Sequence, residues 1–108
     1  MKNNHLKVAL AQISPVWLNK EKTLQKIENA IEEAAKEKCE LIVFGEALLP
    51  GYPFWIALTN GAAWDSLVQK ELHAHYVRNS ITIEKGELES VCTLAKTHKI
   101  AIYIGIME

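Results

Sequence analysis

The chain has 108 residues, of which 49% are hydrophobic and 23% are charged, and its formal net charge is −1. These values are typical of one globular domain with an apolar core, and they exclude an intrinsically disordered chain. A net charge so close to zero, without a basic patch, argues against nucleic acid or an anionic membrane as a partner.

The N-terminus does not have the pattern of a signal peptide, because its apolar run is only about seven residues long and is broken by Lys7 and Gln12. No stretch approaches the roughly 20 apolar residues that a membrane-spanning helix needs. The two cysteines, Cys39 and Cys92, are far apart and have neither metal nor redox spacing. We therefore expect a cytoplasmic protein.

The first half of the chain predicts a strand, a helix and a second strand. Residues 6–13 are almost continuously apolar, as in a strand that is covered on both faces, and Ser14-Pro15 ends them. Apolar residues at helical spacing predict a helix over residues 19–38, with Asn19 as its N-cap. Residues 40–45 form the second strand. So short a connection after the helix predicts that the two strands are parallel.

The second half predicts two more helices and a third strand. Helical spacing of apolar residues places one helix at about residues 62–78. A brief extended link at residues 81–83 precedes another helix at about residues 86–98, and residues 99–107 form the strand. The apolar stripes of the two helices are Trp64, Leu67, Val68, Leu72 and Tyr76, and Leu88, Val91, Cys92 and Ala95.

A parallel strand is normally followed by a crossover that covers it, but one residue follows Met107. A long apolar edge strand without cover invites aggregation. We therefore expect residues 1–108 to be the N-terminal part of a longer domain, or a protomer that depends on a partner.

Residues 41–55 carry the pattern most informative about function. A run rich in β-forming residues ends at Gly45, one carboxylate follows at Glu46, and Pro50 and Pro53 stiffen the loop beyond it. Ligands of open α/β sheets bind at the carboxyl ends of the strands. Apolar neighbours would desolvate this carboxylate, which suits a general base. From the residues alone, a solvated glutamate and a functional one are equally supported.

A resemblance to a known family is carried by the segment Leu41-Ile42-x-Phe44-x-Glu46-x-x-Leu49-x-Gly51-Tyr52-Pro53. It resembles the segment around the catalytic glutamate of the nitrilase (carbon–nitrogen hydrolase) superfamily. The following Phe54-Trp55 makes the loop similar to that of the nitrile- and cyanide-hydrolysing branch. The resemblance covers the whole chain and departs at Lys38, where the family usually has glycine.

The resemblance implies an α/β fold that is the N-terminal part of an α-β-β-α sandwich, and a Glu–Lys–Cys mechanism. In that mechanism a cysteine thiolate attacks the nitrile carbon, a glutamate is the general base and a lysine stabilises tetrahedral intermediates. Glu46 corresponds to the catalytic glutamate, and Tyr52 and Trp55 to substrate-binding residues of the loop. The resemblance also implies homo-oligomers, a small nitrile or amide substrate, and no cofactor.

Neither the lysine nor the cysteine of that mechanism can be assigned in this chain. We expect Cys39 and Cys92 to be buried structural cysteines. Lys99 precedes the third strand, so it should lie at the edge of the sheet opposite Glu46.

The four histidines do not predict a metal site. His73 and His75 are two residues apart, a spacing that points helical side chains in different directions. His5 and His98 stand alone near the ends of elements.

Two alternatives remain open. The substrate could be an amide or a carbamoyl compound, although the Gly-Tyr-Pro-Phe-Trp loop favours nitriles. The chain could also be a truncated, catalytically silent assembly partner, since it lacks an assignable nucleophile.

Overall fold

The computed structural model describes residues 5–53 and 66–107. Its elements are the strands β1 (Val8–Ala11), β2 (Leu41–Phe44) and β3 (Ala101–Tyr103), the helices α1 (Lys20–Lys36), α2 (Leu67–Arg78) and α3 (Glu89–His98), and a 3-10 turn at Ile83–Lys85. The three predicted strands are confirmed but are shorter than expected, and the predicted helices are confirmed as far as they are described. Residues 62–65 of the helix predicted at 62–78, with Trp64 of its stripe, lie outside the described residues, and the predicted extended link at 81–83 leads into the 3-10 turn. No helix in the described ranges is long and apolar enough to cross a membrane.

The three strands form one parallel sheet in the order β1-β2-β3. Leu41 pairs with Val8 on one side and with Ala101 on the other, so the strands run level with each other. The predicted parallel pairing is therefore confirmed, and the central strand is β2. Its carboxyl end lies at the same edge of the sheet as those of β1 and β3.

Helix α1 begins at its predicted N-cap and ends at Lys36, two residues before the predicted boundary. The Asn19 side chain accepts a hydrogen bond of 3.1 Å from the Lys22 backbone N–H, as expected for an N-cap. After the helix, Lys38 has a φ of 61°. Backbone bonds from Lys38 to the carbonyl of Ala35 and from Cys39 to that of Ala34 complete a Schellman motif. Lys38 thus occupies a left-handed position that favours glycine. Its departure from the family pattern therefore concerns the end of a helix.

The core lies between one face of the sheet and the helices. Its buried members are Ile27, Ile31, Ala34, Ile42, Phe44, Leu48, Leu49, Ile81, Val91 and Ile100. The opposite face of the sheet carries Val8, Leu10 and Tyr103, which are 40%, 75% and 70% exposed. The apolar strands predict a sheet that is covered on both faces, but the described residues cover only one face.

Two details of the predicted core are wrong. Leu67 and Val68 of the α2 stripe are 75% and 59% exposed. Cys92 is exposed, and Cys39 is only partly buried. In α3 the buried position belongs to Val91, and one step along a helix turns the next side chain by about 100°.

Candidate active site

Glu46 lies two residues beyond β2, at the carboxyl edge of the central strand, as predicted. Buried Ile42 and Phe44 hold the strand against the helices, while Gly45 and Glu46 are exposed. The apolar neighbours of Glu46 predict a desolvated carboxylate, and this expectation is not met within the described residues. Phe44 and Leu48 belong to the helix-covered core, so their apolar surface is used there.

The backbone after Glu46 turns sharply and is then fixed. Ala47 has a φ of 49°, and the next residues, Leu48 and Leu49, are 5% and 0% exposed. Leu49 forms a parallel bridge with Ile106, and its carbonyl accepts a 2.9 Å hydrogen bond from the Met107 N–H. The segment that follows Glu46 is therefore tied to the segment that follows β3.

The loop beyond Leu49 is anchored by two aromatic side chains from distant parts of the chain. The Tyr76 hydroxyl donates a 2.7 Å hydrogen bond to the carbonyl of Gly51. The Trp17 ring meets Tyr76 edge-on at a centroid distance of 6.3 Å. The same ring lies so close to Gly51 that a Cβ there would overlap it. With Pro50 also buried, the stiff loop predicted from the sequence is fixed at its inner side.

The two sequence-predicted site residues that the structure describes are both exposed. Glu46 and Tyr52 lie on either side of the buried residues 48–51, and the Tyr52 side chain is 66% exposed. Trp55 lies outside the described residues. The anchoring roles of Trp17 and Tyr76 are not predictable from the sequence, because nothing local pairs these two aromatic residues with the loop.

Two side chains, Tyr76 and Glu87, have shifted pKa values. Burial raises the pKa of Tyr76 above its usual range. The Lys20 ammonium lowers the pKa of Glu87, and a 2.7 Å hydrogen bond from the Thr82 N–H adds to the effect. The Lys20–Glu87 ion pair ties the start of α1 to the link that precedes α3.

The nucleophile and cation candidates lie away from Glu46. Cys39 precedes the amino end of β2, and Lys99 precedes the amino end of β3, both opposite the carboxyl edge. Among residues 5–53 and 66–107, no group of three His, Cys, Asp or Glu side chains is placed to bind a metal ion.

A cavity of about 340 Å³ lies between β1 and α1 and borders neither Glu46 nor Tyr52. Its lining includes Ala9, Ala11, Ala30, Ala34 and Cys39.

Residues 7–108 match the family model of the carbon–nitrogen hydrolases, and the chain belongs to that family. The chain is 34% identical over 105 residues to an arylacetonitrilase of Aspergillus oryzae, covering 97% of this chain and 29% of that protein. It is 35% identical over 105 residues to an aliphatic nitrilase of Rhodococcus rhodochrous, covering 97% and 28%. A nitrilase of Meyerozyma guilliermondii is 33% identical over 103 residues, covering 95% and 30%.

The matches confirm the resemblance seen in the sequence. They also set its extent: the chain spans less than a third of the length of these curated relatives and corresponds to their N-terminal portion.

Proposed function

We propose that this chain supplies the general base, Glu46, to a nitrilase active site that converts a nitrile to a carboxylic acid and ammonia. The observation that carries the proposal is the place of Glu46. It is an exposed carboxylate at the carboxyl end of the central parallel strand, on a backbone fixed by the buried residues Leu48 and Leu49. The nitrilase names of the matched relatives support the reaction class.

In the proposed reaction Glu46 takes the proton of a cysteine thiol, the thiolate adds to the nitrile carbon, and the proton passes from Glu46 to the nitrile nitrogen to give a thioimidate. Water activated by the deprotonated Glu46 then adds to that carbon, and ammonia leaves, which gives a thioester. A second water releases the carboxylic acid and restores the thiol. The cysteine, and the lysine that stabilises the tetrahedral intermediates, belong in this proposal to the part of the relatives' length that the chain does not span.

The proposal assigns substrate binding to the loop after Glu46. Tyr52 is exposed on a loop whose inner side is held by Tyr76, so it can meet a ligand without moving the backbone. Trp55 is proposed as a second substrate-binding residue because of the family resemblance. A panel of nitriles and matching amides, with ammonia release as the readout, decides the substrate class. Turnover of the amides alone would favour the amidase or carbamoylase alternative.

The proposal also includes the sandwich architecture. Leu10, Val43 and Tyr103 stand side by side in the pairing register, and Leu10 and Tyr103 are strongly exposed. Such an apolar sheet face is normally packed against another layer. We expect a second sheet to cover it, with residues 1–108 forming the N-terminal part of the complete domain.

A chimaeric enzyme tests the role of Glu46. Residues 1–108 replace the matching N-terminal part of the Rhodococcus rhodochrous aliphatic nitrilase, and ammonia release is measured with its nitrile substrate. Glu46→Gln should lower kcat by a factor of about 10² to 10⁴, because general-base catalysis contributes that much. The control is Glu40→Gln, an exposed glutamate at the amino end of β2, which should leave kcat unchanged.

Retained turnover in the folded Glu46→Gln chimaera would contradict the general-base assignment. The isolated chain is expected to release no ammonia from any nitrile, because it has no assignable nucleophile. Reproducible turnover by the isolated chain would refute the placement of the nucleophile outside it.

A further inference from the structure

Gly105 lies against the backbone of Glu46 with no room for a side chain. The pairing of Val43 with Tyr103 brings Gly105, two residues after β3, beside the end of β2. A Cβ on Gly105 would stand 2.7 Å from the Ala47 nitrogen, 2.7 Å from the Gly45 oxygen and 2.8 Å from the Glu46 Cα. Carbon contacts are favourable only at about 3.5 to 4.0 Å. All three atoms are backbone, so no side-chain rotation relieves the overlap.

The requirement at Gly105 is for space rather than for an unusual conformation. The described glycines with positive φ are Gly51 and Gly86, and Gly105 is not among them. Its φ therefore does not itself demand glycine, yet no residue with a Cβ fits beside Glu46. This separates Gly105 from a glycine that is needed only for a turn.

The contacts of the two overlapping backbone segments, residues 45–47 and the chain after Gly105, determine which of them would move. Beyond Gly105, Ile106 bridges to Leu49, which is 0% exposed, and the Ile81 N–H donates a 2.8 Å hydrogen bond to the Met107 carbonyl. Gly45 and Glu46 are exposed and lie before this tied segment. An added methyl group at position 105 therefore displaces the turn that carries Glu46.

We propose that Gly105 is a positioning residue: its bare Cα lets the chain after β3 support the backbone of Glu46 and sets where the general base stands. This inference rests on the proposed function of Glu46. A misplacement of about 1 Å in a catalytic group can lower the rate by about 10²-fold.

The test compares three glycine-to-alanine variants in the chimaeric nitrilase. Gly105→Ala should lower kcat by about 10- to 100-fold with KM changed by less than about twofold, since the base moves while the substrate-binding loop stays. Gly45→Ala is the matched control, because a Cβ there meets nothing within 4 Å. Gly86→Ala, at a φ of 75°, controls for lost stability away from the end of β2. Both controls should keep kcat within about twofold of the parent.

The outcomes separate this inference from the proposed function. If Glu46→Gln abolishes turnover and Gly105→Ala behaves like Gly45→Ala, only the positioning role of Gly105 is overturned. A rise in KM with unchanged kcat overturns it too. If Glu46→Gln retains turnover, the proposed function falls and this inference falls with it.

A crystal structure of the Gly105→Ala chain decides the geometry even if the parent chimaera is inactive. The Glu46 Cα should move by about 1 Å relative to the unsubstituted chain, because a contact of 2.8 Å must lengthen to about 3.5 to 4.0 Å, and an unmoved Cα would overturn the inference. If Gly105→Ala does not fold, Ala47→Gly is added, because glycine adopts the φ of 49° at this turn freely. A folded pair with a displaced Glu46 supports the inference. An unfolded pair, or an undisplaced Glu46, contradicts it.

Discussion

The Tyr76→Phe substitution isolates one hydrogen bond that anchors the loop after Glu46. The Tyr76 side chain is 3% exposed, and its hydroxyl donates to the Gly51 carbonyl at 2.7 Å. Phenylalanine keeps the ring and therefore the edge contact with Trp17. The hydroxyl is lost while the ring is kept, so the change reports on the anchor and not on core volume.

The expected loss follows from the burial of both partners. A hydrogen bond between neutral groups contributes about 1 kcal/mol net, and a buried carbonyl left without its donor costs about 1 to 3 kcal/mol. Gly51 is buried as well, so we expect Tyr76→Phe to lower the free energy of unfolding by about 1 to 2 kcal/mol. The measurement is urea unfolding of the isolated chain followed by tryptophan fluorescence, with the midpoint shifted and the slope unchanged.

Tyr103→Phe is the matched control. Its side chain is 70% exposed, and loss of an exposed hydroxyl should change stability by less than about 0.5 kcal/mol. Equal midpoints for Tyr76→Phe and the parent would refute the anchor. So would equal losses in the two variants, because the effect would then not depend on burial.

The same variant has a signature at alkaline pH. Burial raises the pKa of Tyr76 above the ordinary value of 10.0, so the unfolded chain releases this proton at lower pH than the folded chain. The stabilising contribution is thus complete below pH 10 and is lost as pH rises from there through the folded pKa. Tyr76→Phe should remove this part of the alkaline loss. An alkaline unfolding curve of unchanged steepness would contradict the assignment.

Two further predictions concern the Lys20–Glu87 ion pair and the exposed face of the sheet that carries Leu10. Lys20 and the Thr82 N–H lower the pKa of Glu87, so its contribution to stability is present above its unfolded pKa of 4.5 and is lost as pH falls through the folded value. Glu87→Gln should therefore reduce the fall in melting temperature between neutral and acid pH. At neutral pH it should lower the free energy of unfolding by less than about 1 kcal/mol. An unchanged fall in melting temperature would exclude this role. Leu10→Glu, at a position 75% exposed, should change the stability of the isolated chain by less than about 0.5 kcal/mol. It should lower the melting temperature of the chimaera, where the proposed second sheet buries the charge, and equal effects in both proteins would contradict the sandwich.

The elements were predictable wherever their signals are local. The capping side chain of Asn19 and the spacing of Ile27 and Ile31 lie within one helix, and the structure has α1 where they place it. The position of Glu46 after an apolar run placed it at the end of a strand in the same way. The parallel pairing followed from the length of one connection.

Contacts between distant residues could not be predicted in this way. The Tyr76–Gly51 hydrogen bond joins residues 25 apart, and the approach of Gly105 to Glu46 depends on the register of β3 against β2. A glycine two residues after a strand shows no sign of what lies beside it. Periodicity has a similar limit, because it identifies residues that share a helix face but not which face meets a partner. Exposed Leu67 in α2 and Cys92 in α3 show this.

The proposed general base needs a defined location and exclusion of water, and these two properties have different origins. The location of Glu46 is determined by contacts within the chain: the buried strand β2 before it, the tie from Leu49 to Met107 after it, and Gly105 beside it. Contacts within the described residues do not desolvate Glu46. Glu46 and Tyr52 are both exposed, and residues 5–53 and 66–107 do not shield them from water. Exclusion of water strengthens a catalytic carboxylate, so the proposed role of Glu46 as general base requires cover from outside these residues. The isolated chain is therefore expected to hold the proposed base in position without the exclusion of water that the proposed role requires.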